Sequence, residues 1–92
     1  MASINRAHIA ADWAKRGFSC DLWTDPPGAR WDDFTHATDE VVAVLEGQME
    51  FEIAGQICRP AIGAELLIPA GAVHSARNIG TTLALWLYGY KG

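Results

Sequence analysis

The run Gly28-Ala29-Arg30-Trp31-Asp32-Asp33-Phe34-Thr35-His36-Ala37-Thr38-Asp39-Glu40, ending at Gly47, decides how this chain is read. It has a counterpart in Gly63-Ala64-Glu65-Leu66-Leu67-Ile68-Pro69-Ala70-Gly71-Ala72-Val73-His74-Ser75-Ala76-Arg77-Asn78. In the first, five residues separate Gly28 from Phe34, one separates Phe34 from His36, three separate His36 from Glu40, and six separate Glu40 from Gly47. In the second, five lie between Gly63 and Pro69, one between Pro69 and Gly71, two between Gly71 and His74, and three between His74 and Asn78. The glycines and Pro69 are turn residues, and two imidazoles with one carboxylate on turn-rich β sequence are the ingredients of a two-His, one-carboxylate metal site.

Outward from these runs the punctuation is that of an all-β domain. Phe18–Thr24 reads as a strand, broken by the turn chemistry of Asp25-Pro26-Pro27-Gly28. Val41–Leu45 is a β-branched run, and Met49–Ile53 alternates apolar and acidic residues, so one face is covered and the other wet. Ala54-Gly55 turns that strand into Gln56–Arg59 as a hairpin. Glu65–Ile68, Val73–Asn78 and Thr81–Tyr90 complete the set. Residues 1–17 form an N-terminal arm, with a short helix over 5–16 that Asn5 caps and in which Ile9 and Trp13 repeat at a helical interval; residues 18–92 form the barrel. The last strand is apolar on both faces at Leu83, Leu85, Trp86, Leu87 and Tyr88, which predicts that part of it, or the N-terminal strand, is buried in a homodimer interface.

A chain of 92 residues is one domain with a thin stability margin, for which a dense aromatic core, oligomerisation and a bound metal are the remedies. Seven basic against eleven acidic residues, net charge −4, exclude nucleic acid as the expected partner. No apolar stretch is long enough to span a bilayer, and Met1–Arg6 lacks the apolar core of a secretory signal. Cys20 and Cys58 are too few for a disulfide framework and read as reduced thiols of a cytoplasmic protein.

Period-two alternation places His36 and Glu40, four apart, on the same side of one strand, where a strand carrying His74 would meet them. Three such ligands leave positions open for water or substrate, as catalytic sites need. On spacing alone, His36 and His74 read more readily as hydrogen-bonded, metal-free barrel histidines, while Glu40 as a salt-bridge partner of Arg30 or Arg77 is the lesser alternative. Trp31, Phe34, Phe51, Trp86 and Tyr88 are core or pocket wall, Tyr88 or Tyr90 could offer a hydroxyl, and Arg30, Arg59 and Arg77 are candidates for holding a carboxylate.

Together the two glycine-bounded runs resemble the two motifs of the cupin superfamily. The resemblance implies a double-stranded β-helix, or jelly roll, in a single conserved-barrel domain. The first motif is matched at Gly28, His36, Glu40 and Gly47, with Phe34 where its first histidine stands; the second is matched at Gly63, Pro69, Gly71, His74 and Asn78. The fifteen residues between the motifs fit the short hairpin of small bacterial members. The resemblance implies that His36, Glu40 and His74 hold a divalent ion, Zn, Fe, Mn or Ni, with the fourth ligand lost at Phe34 and Asp32 as a candidate substitute oxygen. It names no activity. The expectation is a small-molecule protein with Trp31, Phe34, Phe51, Arg77, Trp86 and Tyr88 around its pocket. As an enzyme it would be of dioxygenase or isomerase type; the alternatives are a non-catalytic binding or sensor module and a metal-free structural dimer.

Overall fold

Val41 to Val44 is an unbroken buried run because both faces of its strand are covered. Val42 and Val44 point between two sheets, whereas Val41 and Ala43 point outward against a helix. The computed structural model describes residues 5–92, so residues 1–4 of the N-terminal arm lie outside it. The elements are α1 (Arg6–Lys15), β1 (Asp21–Asp25), β2 (Arg30–Phe34), β3 (Glu40–Glu46), β4 (Met49–Ile53), β5 (Gln56–Cys58), β6 (Glu65–Ile68), β7 (His74–Asn78) and β8 (Ala84–Tyr90).

The eight strands form two antiparallel four-stranded sheets, ordered β1-β8-β3-β6 and β2-β7-β4-β5. This is the connectivity of a jelly roll, two Greek keys wound together. One core lies between the sheets, built from Val42, Val44, Ile68, Ala84 and Trp86 of the first and Met49, Phe51 and Ala76 of the second. A second core lies outside the first sheet, where Trp13 of α1 packs with Phe18, Val41, Ala43 and Leu87.

Asn5 caps α1, its side chain accepting from the His8 amide at 3.2 Å. Trp13 is fully buried, and its indole N–H donates to Glu65 at 2.9 Å, while Arg16 grips the same carboxylate. This docking explains the apolar outer face of β8: Leu87 is covered by α1 rather than by a second subunit. Leu83, immediately before β8, stays 49% exposed and lies outside the cluster that α1 covers. Phe18 does not begin a strand but makes an isolated bridge to Lys91, and β1 starts at Asp21.

A second departure sits in β2. Trp31 pairs with Ala76 and Phe34 with His74, so Asp32 and Asp33 together oppose the single residue Ser75. This is a bulge, with Asp33 at a φ of 57° and its amide donating to Ser75 Oγ at 3.0 Å. The extra residue lets Trp31 and Phe34, an odd number apart, face the same side. It also removes Asp32 from that side; its carboxylate instead receives Arg30 at 2.9 Å in the solvent.

Candidate metal centre

Glu40 is the first residue of β3 and continues the interior row of Val42 and Val44. His74 is the first residue of β7, on the interior row with Ala76 and Asn78. His36 lies on neither: it sits in the connection between β2 and β3, so it and Glu40 do not share a strand as period-two spacing predicts. The second motif's turn holds this connection in place. Gly71 donates its amide to the His36 carbonyl at 2.9 Å, and Ala70 donates to Asp39 Oδ1 at 2.8 Å. Asn78 is also spent on backbone, donating to the carbonyls of Asp25 and Thr82 and accepting from Gly80.

These three side chains converge, with one ligand atom from each lying within 4.8 Å of the others. Glu40 Oε1 is 3.4 Å from His74 Nε2 and 3.6 Å from His36 Nε2. His74 Nδ1 is 3.1 Å from the Ala72 carbonyl, which can only accept, so Nδ1 carries the proton and Nε2 turns a lone pair toward Glu40. Glu40 Oε1 is buried without a hydrogen-bond partner. Burial pushes this carboxyl up to about 7. The His36 imidazole is held below its ordinary value, by burial first and by His74 second, which favours the neutral ring a metal requires. An orphaned carboxyl oxygen within 3.6 Å of two imidazole nitrogens has no cation beside it among the described residues, and a divalent ion bound by two histidines and a carboxylate would supply that charge. The residues fit the ion.

Neither arginine considered as a partner for Glu40 reaches it. Arg30 is held by Asp32, and Arg77 donates to Glu50 and Glu52 at 2.7 and 2.8 Å on the outer face of the second sheet. Arg59 also pairs with Glu50. None of the three candidates for holding a carboxylate lines the cavity.

The triad forms one side of a cavity of about 250 Å³ between the β1 and β2 edges of the two sheets. Of the residues expected around the pocket, Trp31, Phe34, Trp86 and Tyr88 line it, whereas Phe51 is fully buried in the inter-sheet core and Arg77 faces outward. Trp23 and Tyr90 line it too. Tyr90 was accessible to period-two counting from Trp86 and Tyr88, whereas nothing marked the strand face of Trp23 as interior. Ring contacts close a circuit around the space. Centroids run Trp23–Trp31 (5.6 Å), Trp31–Phe34 (6.3 Å), Phe34–His74 (6.4 Å), His74–His36 (4.9 Å), His36–Tyr90 (4.9 Å), Tyr90–Tyr88 (5.9 Å) and Tyr88–Trp23 (6.3 Å). Phe34, in the place of the first motif's histidine, stands opposite His74 in the strand ladder.

Sandwich, connectivity and triad define a small conserved-barrel protein. The Cupin domain family matches residues 21–90, and the chain belongs to it. No curated protein matches the chain in sequence. Among solved structures, the cupin domain of Schizosaccharomyces pombe Cnp3 is similar at 20% identity and TM-score 0.75, over 82% of this chain and 56% of that one. A Cupin 2 conserved barrel domain protein from Salinispora arenicola gives 17% identity and TM-score 0.72, over 83% of this chain and 64% of that one. A salicylate 1,2-dioxygenase from Pseudaminobacter salicylatoxidans gives 20% and 0.75, over 82% of this chain but only 22% of its own. At these identities the likeness is one of fold.

Proposed function

We propose that this protein binds a divalent metal, Zn, Fe, Mn or Ni, through His36, Glu40 and His74 and takes a small molecule into the adjoining aromatic cavity. The observation that carries this reading is Glu40 Oε1, buried and unpartnered between two imidazoles. When bound, the ion would supply Lewis-acid or redox chemistry to an oxygen-bearing ligand. The chain's own residues favour a ligand with a compact, largely apolar body, because aromatic rings line most of the space. One structural neighbour is named a dioxygenase, which agrees with a reaction of dioxygenase type; isomerisation is the other class the site accommodates.

A second reading, a non-catalytic receptor, has one observation in its favour. Beyond the triad, the residues lining the cavity offer phenol hydroxyls at Tyr88 and Tyr90 but no further carboxylate or imidazole to act as a general base. Metal analysis of purified protein tests the first statement: wild type carries near-stoichiometric metal, and His74→Ala lowers it by more than about tenfold with its β spectrum unchanged. Equal metal content in the two would sink the assignment. Oxygen uptake by Fe(II)-loaded protein across small acids, diketones and thiols then separates enzyme from receptor. Cys20 and Cys58 as free thiols support a reducing, cytoplasmic setting, and no helix among the described residues is long and apolar enough to cross a membrane.

A further inference from the structure

In the circuit of rings, Trp23 and Trp31 stand across the cavity from His36 and His74, separated from them by Phe34 on one side and the two tyrosines on the other. Behind the tryptophan side lies Asp25, 1% exposed. Its Oδ1 accepts the indole N–H groups of Trp23 and Trp31, and its Oδ2 that of Trp86, each at 3.0 Å. Among the described residues no basic side chain pairs with it; the arginines of β2 and β7 and Arg59 are engaged elsewhere. A buried carboxylate is costly unless hydrogen-bonded or paired with a cation, and here only neutral donors hold it. Its field therefore extends into the rings it binds. An indole giving its N–H to an anion becomes richer in π electrons, and its face more attractive to positive charge. The cavity wall carries no lysine or arginine to oppose this.

We infer that the tryptophan side of the cavity is a cage for a methylated ammonium group, carried by a small molecule whose other end reaches toward His36, Glu40 and His74. The inference deepens the small-molecule reading above and rests on it for the cavity, though not for the metal. Asp25 acts as a positioning residue: it aims three indoles and supplies the counter-charge without lining the space itself. A merely structural Asp25 would tie β1 and β8 of one sheet to β2 of the other and leave ligand charge unread.

The probes are choline and dimethylbutanol, its neutral isostere with carbon in place of the quaternary nitrogen. Both are titrated into the full chain by calorimetry and tryptophan fluorescence, metal-loaded and after chelation. Choline binds saturably and at least about tenfold tighter than the isostere, in keeping with a desolvated cation–π site. Asp25→Asn brings that ratio toward one, and so does Trp31→Leu, which removes a ring 39% exposed and decides the matter should Asp25→Asn fail to fold. Equal affinities, binding of neither probe, or variants that weaken both probes in parallel overturn the cage. Metal content of the samples offered metal keeps the two readings apart: charge selectivity in protein that takes up no metal on loading upholds the cage and sinks the metal centre, and metal uptake without selectivity does the reverse.

Discussion

Glu40 is the residue on which the site turns, and its burial sets a pH dependence with a definite sign. In the folded, metal-free chain the carboxyl keeps its proton up to about 7, against an ordinary value of 4.5. Between those values the native state holds more protons than the unfolded one, so stability falls as pH rises through that window. Chelated protein is therefore expected to show a lower urea midpoint at about pH 8 than at about pH 5, a difference that Glu40→Gln reduces. An unchanged difference in the variant would place the effect on other groups. The three converging side chains are singled out by the resemblance of the two glycine-bounded runs to the cupin motifs; strand alternation alone misplaces His36, which lies in the connection between β2 and β3. The shared side of Trp31 and Phe34 was not legible, since alternation fails across a bulge and only Asp33 at positive φ reveals it. Asp25 was hidden for another reason: next to Pro26-Pro27-Gly28 it reads as turn chemistry, and the indoles that need its oxygens come from β1, β2 and β8.

At the scale of elements, α1 and β8 define each other. The apolar run of β3 and the two-sided apolar character of β8 were plain in the sequence, but what covered their outer faces was not. A ten-residue, alanine-rich helix shows too weak a pattern to announce where it docks. Trp13 supplies most of the docking, and Trp13→Ala should cost about 3–5 kcal/mol in denaturant unfolding. Because α1 lies on the face of the sheet opposite the cavity, metal content should survive the substitution; its loss would mean that α1 shapes the site. Gly89 serves the same junction from the β8 side. A Cβ there would collide with the Ser19 carbonyl, and Trp13 Cε3 would lie 3.1 Å away, so Gly89→Ala should also lower the urea midpoint without altering metal content. Strand limits were read closely where turn residues flank them, at Met49–Ile53 and Glu65–Ile68. They run past the ladders at Phe18, which packs with Trp13 and makes only an isolated bridge, and at Thr81, where the exposed Thr81, Thr82 and Leu83 precede β8.

For the whole molecule, the jelly roll leaves β5 and β6 as free sheet edges on one side of the sandwich. Ile57 on β5 is 60% exposed and Leu67 on β6 is 50% exposed, an arrangement that natural sheets commonly cover. A homodimer joined along these edges, rather than through the outer face of β8, is what we propose. Sedimentation velocity should then give a dimer that Leu67→Lys converts to monomer, and a monomeric wild type would refute it. The fold is readable at this scale because the two motifs contain β2, β3, β6 and β7, half of the strands, and bracket β4 and β5; the mode of assembly is not, because apolar residues on a strand do not say whether a helix or a second chain will cover them.

The inserted residue at Asp32 and Asp33 has a further meaning. It acts as a one-position spacer between two stretches of chain, setting which side chains look inward without changing any of them. Straightening the strand at unchanged length would turn either Trp31 or Phe34 out of the cavity, whereas deleting one of the two aspartates would leave both rings facing inward, two apart in a regular ladder. A one-residue change of length at this spot is therefore absorbed without redrawing the lining, which makes Asp32 and Asp33 the joint where the barrel tolerates an indel beside its own mouth.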